Sequence, residues 1–177
     1  MTFSAPDQNI NHLTLREGMS VADFGTGSGH YALALAKRVG PNGTVYAVDV
    51  QKEMLGHVRE ATKRAGVHNV KALWGIIDEI GGTKLADGVC EAVVISNVLF
   101  QTDDKLACAK EAFRILRSGG EVMVIDWSDN SELVGGGKAH LVPKTSAENF
   151  FTQAGFRITQ SFEAGAHHWG FVAQKSK

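Results

Sequence analysis

The sequence predicts an α/β fold built on a mostly parallel β-sheet that helices cover on both faces. Strand and helix patterns alternate at short intervals after residue 18, as is typical of such sheets. A glycine-rich turn at 25–29 joins the first strand pattern to the first helix pattern. The last two strand patterns have no helix between them, which predicts a C-terminal hairpin and one antiparallel strand.

Short apolar runs bounded by turn residues predict seven strands. These strands cover Ser20–Phe24, Thr44–Asp49, 70–75, 92–96, 121–127, 156–162 and 168–174. Apolar residues at helical spacing predict a helix from about residue 28 to 39 and a second over Lys52–Ala65. Thr102, followed by two acids, is expected to cap a third helix. A capping box formed by Thr145 and Glu148 predicts the start of a fourth.

Length and composition predict one domain over residues 1–177. A chain of this length, with 44% hydrophobic residues, can bury a continuous core. Within it we distinguish an N-terminal segment, 1–18, and a loop, 128–143, which we expect to act as a mobile lid at the carboxyl edge of the sheet.

Composition also limits the location and the partners. No apolar run approaches a membrane span and no secretion signal is recognisable. The two cysteines form no disulfide framework, so we expect a cytoplasmic protein without a membrane partner. A net charge of −1 with scattered basic residues disfavours nucleic acid. No His/Cys/Asp cluster has metal-ligand spacing, so no metal is expected.

The turn after the first strand predicts a nucleoside site. Glycines at 25, 27 and 29 let a ligand lie close to the backbone, because they carry no Cβ. Asp49, at the tip of the second strand, is placed to accept hydrogen bonds from both hydroxyls of a ribose. The dinucleotide fingerprint would have its third glycine at position 30, where this chain has His30. Asp23, two residues before the first glycine, would also repel a pyrophosphate.

The Asp-x-Gly-x-Gly-x-Gly pattern at 23–29 resembles motif I of the class I S-adenosylmethionine-dependent methyltransferases. The segment 116–120 is similar to the Leu-x-Pro-Gly-Gly of that family, with Ser118 in place of the proline, and Ala-Gly-Phe at 154–156 matches another of its segments. Ile-Ser-Asn-Val-Leu at 95–99 resembles the small, UbiE-like branch, methyltransferase type 11. The resemblance covers about 15–175 and implies a Rossmann-like, doubly wound sheet in the order 3-2-1-4-5-7-6.

The resemblance also implies S-adenosyl-L-methionine as the cofactor and a set of residues that contact it. That set comprises Asp23, Gly25, Thr26, Gly27, Ser28, Gly29, Asp49, Val50, Ile76, Ile77, Asp78, Ser96 and Asn97. Asp23 either supports the glycine turn or is reached through water by the ammonium group of the cofactor. In the family, strand three is commonly followed by a glycine and then by an acid. This chain has the glycine, Gly75, but Ile76 stands at the position of the acid. Either Asp78 or the backbone of Ile76 and Ile77 therefore meets the adenine.

No general base is identified from the sequence, and an activated methyl group makes a base optional. Asn97 either hydrogen-bonds the substrate or caps its strand, and His140, in the loop 128–143, is the best placed of the histidines. The segment at 96–98 is not the Asn-Pro-Pro-Tyr or Asp-Pro-Pro-Tyr motif of enzymes that methylate the amino groups of adenine, cytosine or glutamine.

The predicted function is in-line transfer of a methyl group from S-adenosylmethionine to a small-molecule acceptor. Little of the chain is available to recognise a substrate, so either the acceptor is small or a partner completes the pocket, for example the second subunit of a homodimer. Two alternatives remain: a nicotinamide-dependent oxidoreductase, and a protein that binds S-adenosylmethionine without catalysis.

Overall fold

The computed structural model describes residues 5–128 and 141–176. Strands and helices alternate along these ranges, as the sequence predicts. The strands are β1 (Ser20–Phe24), β2 (Thr44–Asp49), β3 (Val70–Trp74), β4 (Cys90–Ser96), β5 (Leu116–Trp127), β6 (Phe156–Gly165) and β7 (His168–Lys175). The α-helices are α1 (Pro6–Asn9), α2 (His30–Val39), α3 (Lys52–Ala65), α4 (Lys105–Ile115) and α5 (Lys144–Gln153). No helix within the described ranges has the length and apolar character needed to cross a bilayer.

The strands form one sheet in the order β3-β2-β1-β4-β5-β7-β6, which confirms the predicted order. β1, β2, β3, β4 and β5 pair in parallel, while β7 runs antiparallel to both β5 and β6. The chain leaves β1 toward β2 on one side and returns to pair with β4 on the other. The carboxyl ends of β1 and β4 therefore flank the point where open α/β sheets bind ligands.

Helices pack on both faces of the sheet, as in a doubly wound fold, and bury apolar side chains against each face. On one face, Ala109 of α4 and Phe151 of α5 are fully buried against the sheet. On the other face, Leu35 of α2 is fully buried, and Ile10 from the N-terminal segment packs into the same cluster. The N-terminal segment is therefore part of the core, although its sequence is polar and only weakly periodic.

The predicted cap of the third helix is wrong. The Thr102 hydroxyl donates a hydrogen bond to the Leu99 carbonyl oxygen (2.8 Å) and so closes the short 3-10 turn Leu99–Gln101. Asp104 caps α4 instead, since its carboxylate accepts a hydrogen bond from the Ala107 N–H (2.8 Å). Threonine and aspartate are both common N-cap residues, so the sequence alone does not choose between Thr102 and Asp104. The 3-10 turn takes up Thr102, and α4 therefore starts two residues later than predicted.

The predicted capping box at Thr145 and Glu148 is also wrong. The helix α5 starts at Lys144 with no side-chain cap, and the Glu148 carboxylate instead accepts a hydrogen bond from the Ser161 hydroxyl on β6 (3.1 Å). The fifth strand begins at Leu116 rather than at 121, because Leu116 already pairs with Cys90 before a register shift. Tertiary pairing overrides the local turn signal there.

The predicted lid, 128–143, falls largely outside the described residues, because 129–140 are not part of them. His140 lies in that range, so its predicted role also concerns a residue outside the description. Ser128 is the last described residue before this gap, and its N–H donates a hydrogen bond to the His167 carbonyl oxygen (2.8 Å).

Candidate functional site

The three glycines of the turn between β1 and α2 all have a left-handed backbone, with φ of 67°, 52° and 85° at Gly25, Gly27 and Gly29. Packing leaves no room for a side chain at Gly25 and little room at Gly29. A Cβ on Gly25 would lie 2.5 Å from Val98 Cγ2, and one on Gly29 would lie 3.1 Å from Val58 Cγ2. A Cβ on Gly27 would meet only the Gly25 carbonyl oxygen, at 4.0 Å. Gly27 is thus the glycine with open space above it.

Asp49 connects this turn to the end of β2. One carboxylate oxygen accepts a hydrogen bond from the Gly27 N–H (3.0 Å) and the other accepts one from the Gln51 N–H (2.9 Å). The residue is only 7% exposed. Two backbone donors fix the carboxylate, and each of its oxygens keeps further lone-pair capacity for a ligand hydroxyl.

Asp23 lies buried beneath the turn, only 2% exposed. Its carboxylate accepts a hydrogen bond from the Thr26 hydroxyl (2.7 Å). Burial raises the pKa of Asp23 to about 7, with a smaller increase from the negative charge of Asp49, although the Thr26 hydrogen bond opposes the shift. A carboxyl that is half protonated near neutral pH is sensitive to any cation that binds near it.

Two cavities open at the carboxyl edge of the sheet, one on each side of the glycine turn. The first, of about 360 Å³, lies toward β2 and β3, and we call it the β2-side cavity. The second, of about 450 Å³, lies toward β4, β5 and β7, and we call it the β4-side cavity. Gly25, Gly27 and Asn97 line both. A ligand that extends along the turn would therefore reach from one cavity into the other.

The β2-side cavity combines acids with apolar groups. Asp49 and Asp78 supply the carboxylates, and Val50, Met54 and Ile77 supply apolar surface. The Asp78 carboxylate accepts a hydrogen bond from the Asp103 N–H (2.8 Å), so it is held at the rim. This mixture suits a nucleoside, whose sugar hydroxyls donate hydrogen bonds while its base is flat and largely apolar.

The β4-side cavity has a different lining. It is lined by the turn residues Thr26 and Ser28 together with Pro6, His30, Tyr31, Ser96, Trp127 and His168. The α1 helix contributes Pro6, and it is held in place because the Asn9 side-chain amide donates a hydrogen bond to the Tyr31 hydroxyl (2.9 Å). The N-terminal segment thus forms one wall of this cavity.

Three buried polar atoms in this lining lack a hydrogen-bond partner among the described residues. They are Ser96 Oγ, Asn97 Oδ1 and His168 Nε2. Asn97 also has a left-handed backbone, with φ of 55°, which is uncommon for a residue other than glycine and is frequent at functional sites. Buried polar groups are normally paired, so a ligand group or an ordered water would satisfy these atoms.

Most of the predicted cofactor residues lie on one cavity or the other. Asp23 and Gly29 line neither cavity but support the turn. Ile76 lines neither cavity either, and its N–H donates a hydrogen bond to the Gly82 carbonyl oxygen (3.0 Å). Of the alternatives left open for the adenine, Asp78 and Ile77 are therefore the residues that face the β2-side cavity.

Sequence reasoning missed His168 and its stacking partner Trp127, whose ring centroids lie 4.2 Å apart. His168 is only 3% exposed, and burial lowers its pKa, with a smaller decrease from the neighbouring His167. The signal was available in the predicted hairpin. Because β7 runs antiparallel to β5, its first residue, His168, pairs with Trp127, the last residue of β5, and lies at the carboxyl edge.

A metal centre has no support among the residues that the structure describes, where no group of three or more His, Cys, Asp or Glu side chains is arranged to hold an ion. The two cysteines of the chain, Cys90 and Cys108, are both described and both fully buried. Burial raises the pKa of Cys90 to about 12 and raises that of Cys108 as well. Neither residue lines either cavity.

Comparison with known proteins agrees with this site. A family model described as "Methyltransferase domain" matches residues 15–169. A solved structure of a SAM-dependent methyltransferase from Aquifex aeolicus is 28% identical, covers 96% of this chain and 88% of that one, and superposes with a TM-score of 0.86. The chain therefore belongs to the methyltransferase domain family, as a class I S-adenosylmethionine-dependent domain of the type 11 kind.

Two curated methyltransferases are similar to part of this chain. The arsenite methyltransferase of Aquipseudomonas alcaligenes is 35% identical over 116 residues, which are 63% of this chain and 34% of that protein. The demethylmenaquinone methyltransferase of Listeria monocytogenes is 29% identical over 121 residues, which are 68% of this chain and 50% of that protein. The chain thus spans between a third and a half of the length of these relatives.

Proposed function

We propose that this domain holds S-adenosyl-L-methionine along the glycine turn and transfers its methyl group to a small organic acceptor in the β4-side cavity. The observation that carries the proposal is that the two cavities meet at Gly25, Gly27 and Asn97. One cavity has the chemistry of a nucleoside site, and the other contains unpartnered polar atoms. The space above Gly27, which a Cβ would begin to fill, agrees with close approach of a ligand.

The residues that would hold the cofactor divide by chemistry. Asp49 accepts hydrogen bonds from the ribose hydroxyls, as carboxylates at this position do in nucleotide-binding sheets. Val50, Met54 and Ile77 pack against the adenine, and the Asp78 carboxylate is placed for its amino group. The turn residues Thr26 and Ser28, with the junction residues Ser96 and Asn97, face the amino-acid tail and the methyl group.

When bound, S-adenosylmethionine supplies a methyl group that its sulfonium already activates. The chain has to hold the acceptor atom in line with that methyl group and to exclude water. Orientation of this kind contributes up to about 7–11 kcal/mol in ideal cases. Pro6 from α1 and Trp127 from β5 line the β4-side cavity and supply apolar surface beside the acceptor.

The cysteines favour an organic acceptor over arsenite. Trivalent arsenic is a soft centre that prefers thiolate ligands, but both cysteines of this chain are buried away from the two cavities. Among the described residues, therefore, no thiolate lines either cavity to hold trivalent arsenic. Two free thiols also support a reducing, cytoplasmic location.

Pro6 of α1 lines the β4-side cavity, and its position supports a small acceptor bound against the N-terminal segment of the same chain. The alternative is that the second subunit of a homodimer completes the pocket; residues of α1, β5 and β7 already line the β4-side cavity, which favours an acceptor bound within one chain. Sedimentation at micromolar concentration with and without S-adenosylhomocysteine would test this, and a dimer that forms only with ligand would favour the alternative.

Calorimetric titration with S-adenosylmethionine, S-adenosylhomocysteine and NAD tests the proposal against the nicotinamide-dependent alternative. We expect the first two to bind and NAD to produce no heat, because Asp23 and the packed Gly29 leave no cradle for a pyrophosphate. Consumption of S-adenosylmethionine in the presence of a metabolite extract separates an enzyme from a protein that only binds the cofactor. Binding of NAD alone would overturn the proposal.

A further inference from the structure

We propose that Asp126 is a positioning residue for the cofactor, because its buried carboxylate holds the turn Leu99–Gln101 in the place where that turn forms part of the wall of the β2-side cavity. The inference rests on the proposed function and adds to it a residue that lines neither cavity. It makes affinity for the cofactor depend on the charge of a group outside the cavity lining.

Asp126 is the second-to-last residue of β5, and the protein encloses its side chain. The residue is only 1% exposed. Its Oδ2 accepts a hydrogen bond from the Phe100 N–H (3.0 Å), and its Oδ1 accepts one from the Trp127 N–H (2.8 Å). The backbone of Leu99 contributes a further hydrogen bond that favours the charged form. Each carboxylate oxygen therefore has a backbone donor, and the turn supplies one of them.

The turn that Asp126 holds belongs to the wall of the β2-side cavity. Val98, Gln101 and Thr102 all line this cavity. Val98 also packs on the glycine turn, where a Cβ on Gly25 would meet its side chain. None of the described residues of β5 lines the β2-side cavity, so Asp126 acts on it through the turn. A shift of the turn away from β5 would change the wall that faces the proposed nucleoside.

The other contacts of the turn do not replace this bond. Its internal hydrogen bonds, from the Gln101 N–H to the Val98 carbonyl oxygen (2.9 Å) and from the Thr102 N–H to the Leu99 carbonyl oxygen (3.2 Å), fix its shape but not its place on the sheet. Leu99 is fully buried and anchors the turn by apolar packing, which has no direction. Asp126 supplies the directional contact between the turn and β5.

The pattern of donors around Asp126 requires a carboxylate. A carboxylate offers only acceptors, whereas an amide or a protonated carboxyl group carries a donor on one side. Because Oδ1 and Oδ2 each face an N–H, either replacement places a donor against a donor. One backbone N–H then loses its partner next to a buried side chain, and this is unfavourable.

Mildly acidic pH is sufficient to protonate Asp126. Burial raises its pKa to about 6, although the backbone hydrogen bonds and the positive charge of Lys105 at the start of α4 oppose the shift. On β7 its paired residue is Trp169, and the adjacent His168 lies on the opposite face of that strand. The turn Leu99–Gln101 contains no titratable side chain. Asp126 is therefore mainly ionised at pH 7.

Asp126→Asn tests the role, and Asp104→Ala is the matched control. The Asp104 carboxylate also accepts a backbone hydrogen bond, from the Ala107 N–H (2.8 Å), close in sequence to the same turn. It lines neither cavity, and its bond belongs to the cap of α4. Loss of this cap lowers stability without a direct effect on the cavity wall. Urea denaturation of both variants shows that they fold and compares their stabilities.

Calorimetric titration with S-adenosylhomocysteine and with methylthioadenosine at pH 7.5 gives the first readout. We expect Asp126→Asn to bind both ligands at least about fivefold more weakly than the parent, because both ligands contain the nucleoside that the turn faces. Asp104→Ala should bind both ligands like the parent even where its stability is lower. Unchanged affinity in Asp126→Asn would overturn the inference, as would equal losses of affinity in the two variants.

The pH profile of affinity gives the second readout and needs no substitution of Asp126. Methylthioadenosine is titrated into Asp23→Asn between pH 5 and pH 8, so that Asp23 does not contribute. We expect constant affinity above pH 7 and a loss of about threefold or more at pH 5, as Asp126 takes up a proton. A flat profile would contradict the inference, even if Asp126→Asn fails to fold.

The double variant Asp23→Asn/Asp126→Asn assigns the profile to its residue. Its affinity for methylthioadenosine should be low and independent of pH over the same range. The same loss at pH 5 in this variant would assign the titration to another group and overturn the inference. If neither ligand binds the parent, the proposed function fails, whereas binding that does not depend on Asp126 in either measurement defeats this inference alone.

Discussion

The Gly27 N–H donates a hydrogen bond to the carboxylate of Asp49, with 3.0 Å between donor and acceptor atoms. This bond connects the turn after β1 to the end of β2, across 22 positions of the sequence. It means that the residue proposed to hold the ribose also holds the turn along which the cofactor lies. Ligand binding and the shape of the turn are therefore coupled through one carboxylate.

Asp49→Asn should weaken binding of S-adenosylhomocysteine at least tenfold. The amide keeps one acceptor oxygen for a backbone N–H but loses a charge-assisted bond to the ribose, each of which contributes about 1.5–3 kcal/mol. Isothermal titration calorimetry of parent and variant measures the change.

Asp49→Ala serves as the comparison for stability. It leaves the part-buried N–H groups of Gly27 and Gln51 without their carboxylate partner, and we expect a loss of about 1–3 kcal/mol in the free energy of unfolding for the two bonds. Urea denaturation of the unliganded proteins would show this. Unchanged affinity in Asp49→Asn would contradict the assignment of the ribose site.

Gly27→Ala should reduce cofactor affinity far more than it reduces stability. Its new methyl group points into the open space above the turn, while the left-handed backbone costs about 1–2 kcal/mol for a residue with a side chain. Gly66→Ala is the matched control, because Gly66 has φ of 64°, open space around it and a position at the end of α3. Calorimetry combined with thermal unfolding compares the two.

The two glycine variants should thus lose similar stability, and only Gly27→Ala should lose binding. Equal affinity for S-adenosylhomocysteine in both would mean that the cofactor does not approach Gly27. Equal losses of affinity would mean that backbone strain anywhere in the domain weakens binding, and the turn would have no special role.

Local patterns predicted the strands and the glycine turn because each depends on residues that are close in sequence, whereas the strand order was implied by the resemblance to class I methyltransferases. The roles of individual residues depended on contacts across the sheet. Gly29 packs closely against Val58 on α3, and Asp49 is buried by the turn it supports rather than exposed at a strand end. His168 reaches the site only because β7 reverses direction. None of these relationships has a signature in a short stretch of sequence.

Both cysteines should be unreactive toward Ellman's reagent in the folded protein at pH 8. Burial raises the pKa of Cys90 to about 12 and also raises that of Cys108, so the thiolate that reacts is scarce and inaccessible at both positions. We expect no rapid reaction in buffer and two equivalents of released thionitrobenzoate in denaturant. Fast labelling of either cysteine without unfolding would show that a thiolate is accessible, and the argument against arsenite as the acceptor would then fail.

The stability of the protein should depend on pH because the Asp23 carboxyl group titrates near neutral pH in the folded state. Its pKa is about 7 in the folded protein, against an ordinary value of 3.8, so the folded state retains a proton that the unfolded state loses between pH 4 and 7. Stability from this residue is therefore fully present below pH 4 and falls as the pH rises to 7, by about 4 kcal/mol for such a shift.

Asp23→Asn keeps an acceptor for the Thr26 hydroxyl and removes the titration. Urea denaturation at pH 5 and pH 8 should show the variant gaining stability relative to the parent at the higher pH. A constant difference between the two proteins over this range would show that Asp23 does not titrate in it.

Binding of the cofactor should release a proton from Asp23 near pH 7 if the ammonium group of the cofactor reaches this carboxylate. A cation nearby favours the charged form and lowers the pKa of a group that is half protonated at that pH. Calorimetric titration of S-adenosylhomocysteine in phosphate and in Tris buffer measures the release, because the two buffers differ in their heat of ionisation.

Methylthioadenosine, which lacks the amino-acid tail, is the control ligand and should release no proton. Asp23→Asn should abolish the release with either buffer. Equal heats in both buffers for the parent would instead mean that Asp23 only supports the turn through Thr26, and the tail would have to be held by Thr26, Ser28 and the junction residues.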